Sequence, residues 1–217
     1  MNERYKIGYI DEDPNQVINF KYALKNFEID IIGFDIKYGM SLENILELAY
    51  SSNIDLLMID FLLTDKGILN FNGDEIERRF NILKPGFPHI IFTSEEPEAF
   101  NFVDDPNIIY DKEMATNPDT VKKFADTLKK IIENYRRYIN IRKEKIADLL
   151  EKGEKEILSP IEEDSLISLQ RELRDLDKTK PKEIPEKLFF YERLNDLSET
   201  RKKAEEYLQS LIEQNKK

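Results

Sequence analysis

Apolar positions along the first half of the chain switch repeatedly between two patterns. KIGYI (6–10), IDIIGFD (29–35), DLLMID (55–60), HIIFTS (89–94) and NIIYDK (107–112) are short apolar runs, and each reads as a strand. The runs at 55–60 and 89–94 are continuous rather than alternating, the pattern of strands covered on both faces. Between them the apolar residues take helical spacing. NQVINFKYALKNF (15–27) carries Val17, Phe20, Ala23, Leu24 and Phe27; SLENILELAYSS (41–52) opens on Ser41 and carries Leu42, Ile45, Leu46 and Ala49. NGDEIERRFNIL (72–83) is a third helix, closed by Pro85 and Gly86. About five strand–helix alternations in roughly 130 residues predict an α/β fold, a (βα)5 doubly wound parallel sheet with helices on both faces.

From about Asn117 the period becomes purely helical. Positions 121, 125, 128, 132, 135, 139, 142, 146 and 149 follow 4–3 spacing, and only Arg142 interrupts an otherwise apolar seam. Gly153 and Pro160 break it, a second helical segment covers 161–177, and KTKPKEIP (178–185) is a polar connector. A third segment repeats the spacing from Phe190 through Arg201 to Leu211. Sustained seams of this kind predict coiled-coil or bundle packing, as an antiparallel hairpin, a coiled-coil dimer, or both. The expected organisation is an α/β domain over residues 1–134 and a helical region over 135–217, continuous with the last helix of the first domain. Arg142 and Arg201 either pair with a carboxylate to set register or, more simply, lie at the seam's edge with their heads in water.

Charge separates the same two halves. Residues 1–117 hold 10 Lys/Arg against 22 Asp/Glu, a net of −12, and residues 118–217 hold 23 against 22, a net of +1. An acidic domain does not attract phosphate backbones or anionic membranes, so nucleic acid is not an expected partner and neither is a membrane. The chain has no cysteine, which excludes disulfides, thiolate metal sites and cysteine nucleophiles. No segment has signal-peptide or membrane-spanning character, and a cytoplasmic protein is expected.

The candidate chemistry lies where strands end. In a doubly wound sheet functional groups collect at the carboxyl ends of the strands. Here those ends carry Asp11, Glu12 and Asp13; Asp60; Thr93 and Ser94; and Lys112. Neighbouring carboxylates make an oxygen site for a hard divalent cation such as Mg2+, and a lysine offsets the remaining charge. An aspartate beside such a cation can attack phosphorus, because the metal screens charge on the incoming phosphoryl group. Taken alone, each residue also has an ordinary role: Asp60 as a loop cap, Asp13 as a helix N-cap, Thr93 as a strand-end hydroxyl, Lys112 as a solvated lysine.

Together IDEDPNQ, DLLMID, NGDEIERRF, IIFTS and YDKE resemble the response-regulator receiver (CheY-like) domains of two-component signalling, over residues 4–134. The resemblance implies that Asp60 is the phosphoacceptor. It also implies that Glu12, Asp60 and the Leu62 carbonyl hold Mg2+, with Asp11 supporting the metal through water. Thr93 and Lys112 would stabilise the phosphoryl group. A histidine kinase or phosphotransfer protein is then the expected donor, since His89 is the chain's only histidine and reads as structural. Output would run through contacts of the helical C-terminal region with a protein partner or a second copy.

Two other readings stand beside this one: a pseudo-receiver adaptor with an idle site, and a DNA-binding regulator with an unfamiliar helical output. The chain also departs from the family pattern. The stretch Thr64–Asn72 lengthens the segment after Asp60, the proline common there is missing, Glu113 follows the lysine, and Ile109 holds the usual aromatic position beside Tyr110.

Overall fold

A computed structural model describes residues 4–176. Five strands, β1 (Tyr5–Ile10), β2 (Ile29–Gly33), β3 (Leu56–Ile59), β4 (His89–Thr93) and β5 (Ile109–Asp111), form one sheet. Its order is β2-β1-β3-β4-β5 and every pairing is parallel. This is the doubly wound, flavodoxin-like order, whose chain reverses direction of growth between β1 and β3. Every residue of β3 is buried, because helices cover both faces, and this is why its sequence lacks alternation.

The helices are α1 (Pro14–Leu24), α2 (Leu42–Ser51), α3 (Gly73–Leu83), α4 (Glu96–Ala99), α5 (Glu113–Thr116), α6 (Val121–Lys155) and α7 (Pro160–Asp175). Asp13 caps α1 by accepting the Asn15 amide, and Ser41 caps α2 by accepting the Asn44 amide. Two apolar clusters lie on opposite faces of the sheet. One joins Ile45, Leu57, Ile59, Ile76, Phe80 and Ile91. The other is aromatic at its centre: Phe20 packs edge-on to Tyr9 and Phe92, and Phe92 stacks on Phe124 of α6 at 5.2 Å. Burial of rings of this size, with edge-to-face contacts, stabilises the sheet beyond its area alone.

The long helix begins at Val121, a few residues after the expected start, and runs beyond residue 140 as the seam predicts. Phe124, Ala125, Leu128 and Ile132 are buried against the sheet, so this part of the seam is covered by strands. Polar ties fix the same helix: Arg136 to Asp55 at 2.6 Å, Lys129 to Glu28 at 3.2 Å, and Glu133 accepting the Tyr5 hydroxyl.

Among the described residues the boundary between two compact units falls within α6, between Arg142 and Lys143. In the second unit, Ser159 and Glu162 form a capping box at the start of α7: Ser159 Oγ accepts the Glu162 amide and the Glu162 carboxylate accepts the Ser159 amide. Lys152 of α6 binds Glu162 at 2.6 Å, and Ile146, Leu158, Leu166 and Leu173 are buried. Arg142 places its guanidinium over the Tyr138 ring, 3.4 Å from the centroid, a cation–π contact. The connector 178–185, the third helical segment and Arg201 lie outside the described residues. No described helix is long and apolar enough to cross a membrane.

Candidate functional site

Strands β1, β3, β4 and β5 bring five of the predicted site residues to one end of the sheet. Asp11 and Glu12 follow β1, Asp60 follows β3, Thr93 ends β4, and Lys112 follows β5. Asp11, Glu12, Asp60 and Thr93 are 3%, 6%, 7% and 1% exposed, so this is a buried polar cluster rather than a solvated acidic patch. Carboxylates so buried require partners. Lys112 supplies the central one: its ammonium lies 2.9 Å from Asp11 Oδ2 and 2.8 Å from Asp60 Oδ2. The backbone sets that reach, since the Lys112 amide donates to the Thr93 carbonyl at 3.0 Å and extends the β4–β5 ladder to the lysine.

Asp11 has both oxygens engaged. Oδ1 accepts the Asp13 amide at 2.7 Å, and Oδ2 accepts the Tyr9 hydroxyl as well as Lys112. Tyr9 lies near the end of β1, two residues before Asp11, and this buried tyrosine was not among the predicted site residues. Burial first, then the charges of Asp11 and Asp60, hold the Tyr9 phenol well above its ordinary range, so it acts as a donor. Thr93 Oγ1 accepts the Glu95 amide at 3.0 Å, which leaves its hydroxyl hydrogen free to donate elsewhere.

Asp60 itself is poised between opposing influences. Burial raises its pKa to about 6, Lys112 pulls it down, and Asp11 pushes it up. The Leu62 amide also donates to its carboxylate and favours the charged form. Its backbone is crowded by α3, whose first residue must be glycine: a Cβ on Gly73 would stand 2.1 Å from the Asp60 carbonyl oxygen. The Gly73 amide donates to the Phe61 carbonyl at 2.8 Å, so the helix start is clamped to the residue beside Asp60.

The long segment after Asp60 is packed. Phe61, Leu63, Leu69 and Phe71 are buried in the core cluster on the α2–α3 side. Asn72 Oδ1 accepts the Leu63 amide, and the Gly39 amide donates to the Ile68 carbonyl at 3.1 Å. A turn closes where the Gly67 amide donates to Thr64, with Gly67 in the left-handed region at φ 66°. That turn delivers Lys66 to the acidic cluster. Its amide donates to Glu12 Oε1 at 3.2 Å, and its ammonium binds Asp13 Oδ2 at 2.8 Å. Sequence reasoning missed this contact. The available signal was that Lys66 is the only Lys or Arg between Lys37 and Arg78.

The other oxygen of Glu12, Oε2, is buried and has no hydrogen-bond partner, and burial raises the Glu12 pKa. Among the described residues no three His, Cys, Asp or Glu side chains already form a tight metal-ligand cluster. The donor chemistry nevertheless fits a hard divalent cation. All candidate ligands are oxygens, one carboxylate oxygen is orphaned, and Lys66 and Lys112 offset only two of the four carboxylates they touch. Asp11, with both oxygens occupied, suits an indirect role. His89 is structural: Nδ1 lies 2.7 Å from the Phe87 carbonyl and Nε2 3.0 Å from Glu77.

No protein-family model matches the chain, and neither does any curated protein. Solved structures similar to it include a sensor protein from Polaromonas sp. JS666, at 15% identity and TM-score 0.47, covering 61% of this chain and 98% of that one. A response regulator receiver domain protein (CheY-like) from Methanospirillum hungatei JF-1 aligns at 16% identity and TM-score 0.44, with coverages of 62% and 98%. One from Clostridium thermocellum aligns at 17% and 0.44, with the same coverages. Two of these three neighbours are receiver domains, and each of the three matches about 60% of this chain.

Proposed function

We propose that residues 1–134 act as a phosphoryl-accepting receiver, with Asp60 as acceptor, and that the helical region from 135 onward carries output through protein contacts. The observation that supports this most is the Lys112 ammonium bridging Asp11 and Asp60 at the strand ends, where Thr93 ends β4. A salt-bridge network serving stability alone has no need of an orphaned oxygen on Glu12.

In this reading Glu12, Asp60 and the Leu62 carbonyl would hold Mg2+, with Asp11 supporting it through water, and the ion would screen the charge between carboxylate and phosphoryl group. An Asp60 oxygen forms the new O–P bond while the donor's P–N bond, in a phosphohistidine, breaks and leaves its electron pair on the imidazole nitrogen. Lys112 turns from the carboxylate towards a phosphoryl oxygen while keeping Asp11. Thr93 donates its free hydroxyl hydrogen to another. Burial shields the acyl phosphate from water, and the transfer of Lys112 from the Asp60 carboxylate to the phosphoryl group alters the ion pair that ties the end of β5 to the end of β3. The donor is another molecule, a histidine kinase, a phosphotransfer protein or a small phosphoryl donor, because His89 is already bonded on both nitrogens.

The docking of Lys66 on Glu12 and Asp13 favours a second reading, an adaptor whose acidic cluster is a permanent ion-pair network. Beryllofluoride with Mg2+ separates the two. A phosphoryl acceptor binds it, shifts the amide resonances of Thr93 and Lys112, and loses both effects in Asp60→Asn. An unchanged spectrum at saturating ligand supports the adaptor.

A further inference from the structure

The segment from Thr64 to Asn72 is long, yet its apolar residues are buried and its turn is closed, so the position of Lys66 is built into the fold. Four anchors hold it. Leu63 and Leu69 are buried on either side of the turn, Gly67 adopts the left-handed conformation that closes it, and the Ile68 carbonyl is bonded to Gly39. What the turn presents to the site is positive on both counts: an ammonium on Asp13 and an N–H dipole on Glu12. Glu12 is the carboxylate with the buried, unpartnered oxygen, and it lines an open cleft with Asp11, Pro14, Val17, Lys21 and Phe34. Lys66 therefore sits where it offsets the negative charge that a divalent cation would otherwise offset.

We propose that the Thr64–Gly67 turn is a tethered counter-cation for this site: in the cation-free protein the Lys66 ammonium holds the turn on Asp13 while its amide occupies Glu12 Oε1, so the turn competes with Mg2+ for Glu12 and undocks when the ion binds. This rests on the cation-site reading above and deepens it, because it makes cation occupancy and loop position one equilibrium. Removing the ammonium releases the turn's hold on Asp13, which weakens its competition for Glu12, and removes a like charge near the ion. Lys66 is about half exposed, so solvent screens the effect and the expected change is modest, roughly threefold to tenfold in Mg2+ affinity.

The test is a Mg2+ titration of the full chain by calorimetry, in wild type, Lys66→Gln, Lys66→Arg and Glu12→Gln, paired with hydrogen exchange of the 61–72 segment. Lys66→Gln is expected to bind Mg2+ more tightly by that factor and Lys66→Arg to match wild type. The gap should shrink in about 0.5 M KCl, where screening is strong. In wild type, Mg2+ is expected to speed exchange of the Lys66 and Gly67 amides as the turn releases. Equal or weaker binding by Lys66→Gln overturns the proposal, and so does slower exchange on adding Mg2+, which would mean that the turn closes over the ion. If Glu12→Gln abolishes binding while Lys66→Gln leaves it unchanged, the turn has no such role and the cation site stands. If neither wild type nor Lys66→Gln binds Mg2+ at tens of millimolar, the cation site and the counter-cation fall together.

Discussion

Replacing Asp60 by Asn keeps the shape of the side chain and removes its charge. Burial raises the pKa of this carboxyl from 3.8 to about 6 despite the ammonium of Lys112, so the folded protein holds the charged form at a cost. At about 1.4 kcal/mol per pH unit, that rise corresponds to about 3 kcal/mol of stability forgone when Asp60 is ionised. Between pH 3.8 and about 6 the native state binds more protons than the unfolded chain, so stability falls as pH rises through that window. The cost is complete above pH 6 and nearly gone at pH 4. Asn keeps a carbonyl for Lys112, and Lys112 keeps Asp11 at 2.9 Å, so the substitution leaves no buried lysine unpaired. Asp60→Asn is therefore expected to stabilise the cation-free protein by about 1 to 3 kcal/mol at pH 7.5 and by less than about 1 kcal/mol at pH 4. Urea unfolding in EDTA, followed by tyrosine near-ultraviolet dichroism at both pH values, measures the difference. A destabilised variant at pH 7.5, or a gain independent of pH, refutes the reasoning. A residue whose charge costs stability where it stands is what a functional carboxylate predicts.

Two further substitutions probe how the site is built. Gly73→Ala drives a Cβ to 2.1 Å from the Asp60 carbonyl oxygen, a clash with backbone that no rotamer relieves, and should cost about 3 kcal/mol in urea unfolding. A cost below about 1 kcal/mol there would mean that α3 starts further from Asp60 than described. Leu63→Ala removes a fully buried side chain from the segment after Asp60 and should cost about 2 to 5 kcal/mol, whereas a solvated loop residue would lose almost nothing.

The strands were legible because doubly covered strands carry unbroken apolar runs, and observed β3 and β4 lie within the runs at 55–60 and 89–94. Helix starts were legible where a cap is local, as at Asp13 and Ser41. Glu96–Ala99 was not, since a four-residue helix of Glu, Pro, Glu and Ala has no apolar stripe to show. The seam beginning at residue 121 shows another limit: 4–3 spacing marks a face to be buried, and here residues 124–132 bury it against a sheet rather than a second helix. For the site, Asp11, Glu12, Asp60, Thr93 and Lys112 could be placed because strand ends converge in this topology. Lys66 could not, because its contact with Glu12 spans 54 residues and depends on how Leu63, Leu69 and Phe71 pack at irregular spacing. Tyr9 was nearer to hand, since it lies only two residues before Asp11 at the end of β1.

Phosphoryl transfer to Asp60 is the central claim, and its most direct measurement is incubation of the full chain with acetyl phosphate and Mg2+. Borohydride reduction of the acyl phosphate and peptide mass spectrometry then locate the label. The account predicts a label on Asp60 alone that requires Mg2+ and disappears in Asp60→Asn. An unlabelled chain, or a label that persists in Asp60→Asn, contradicts it.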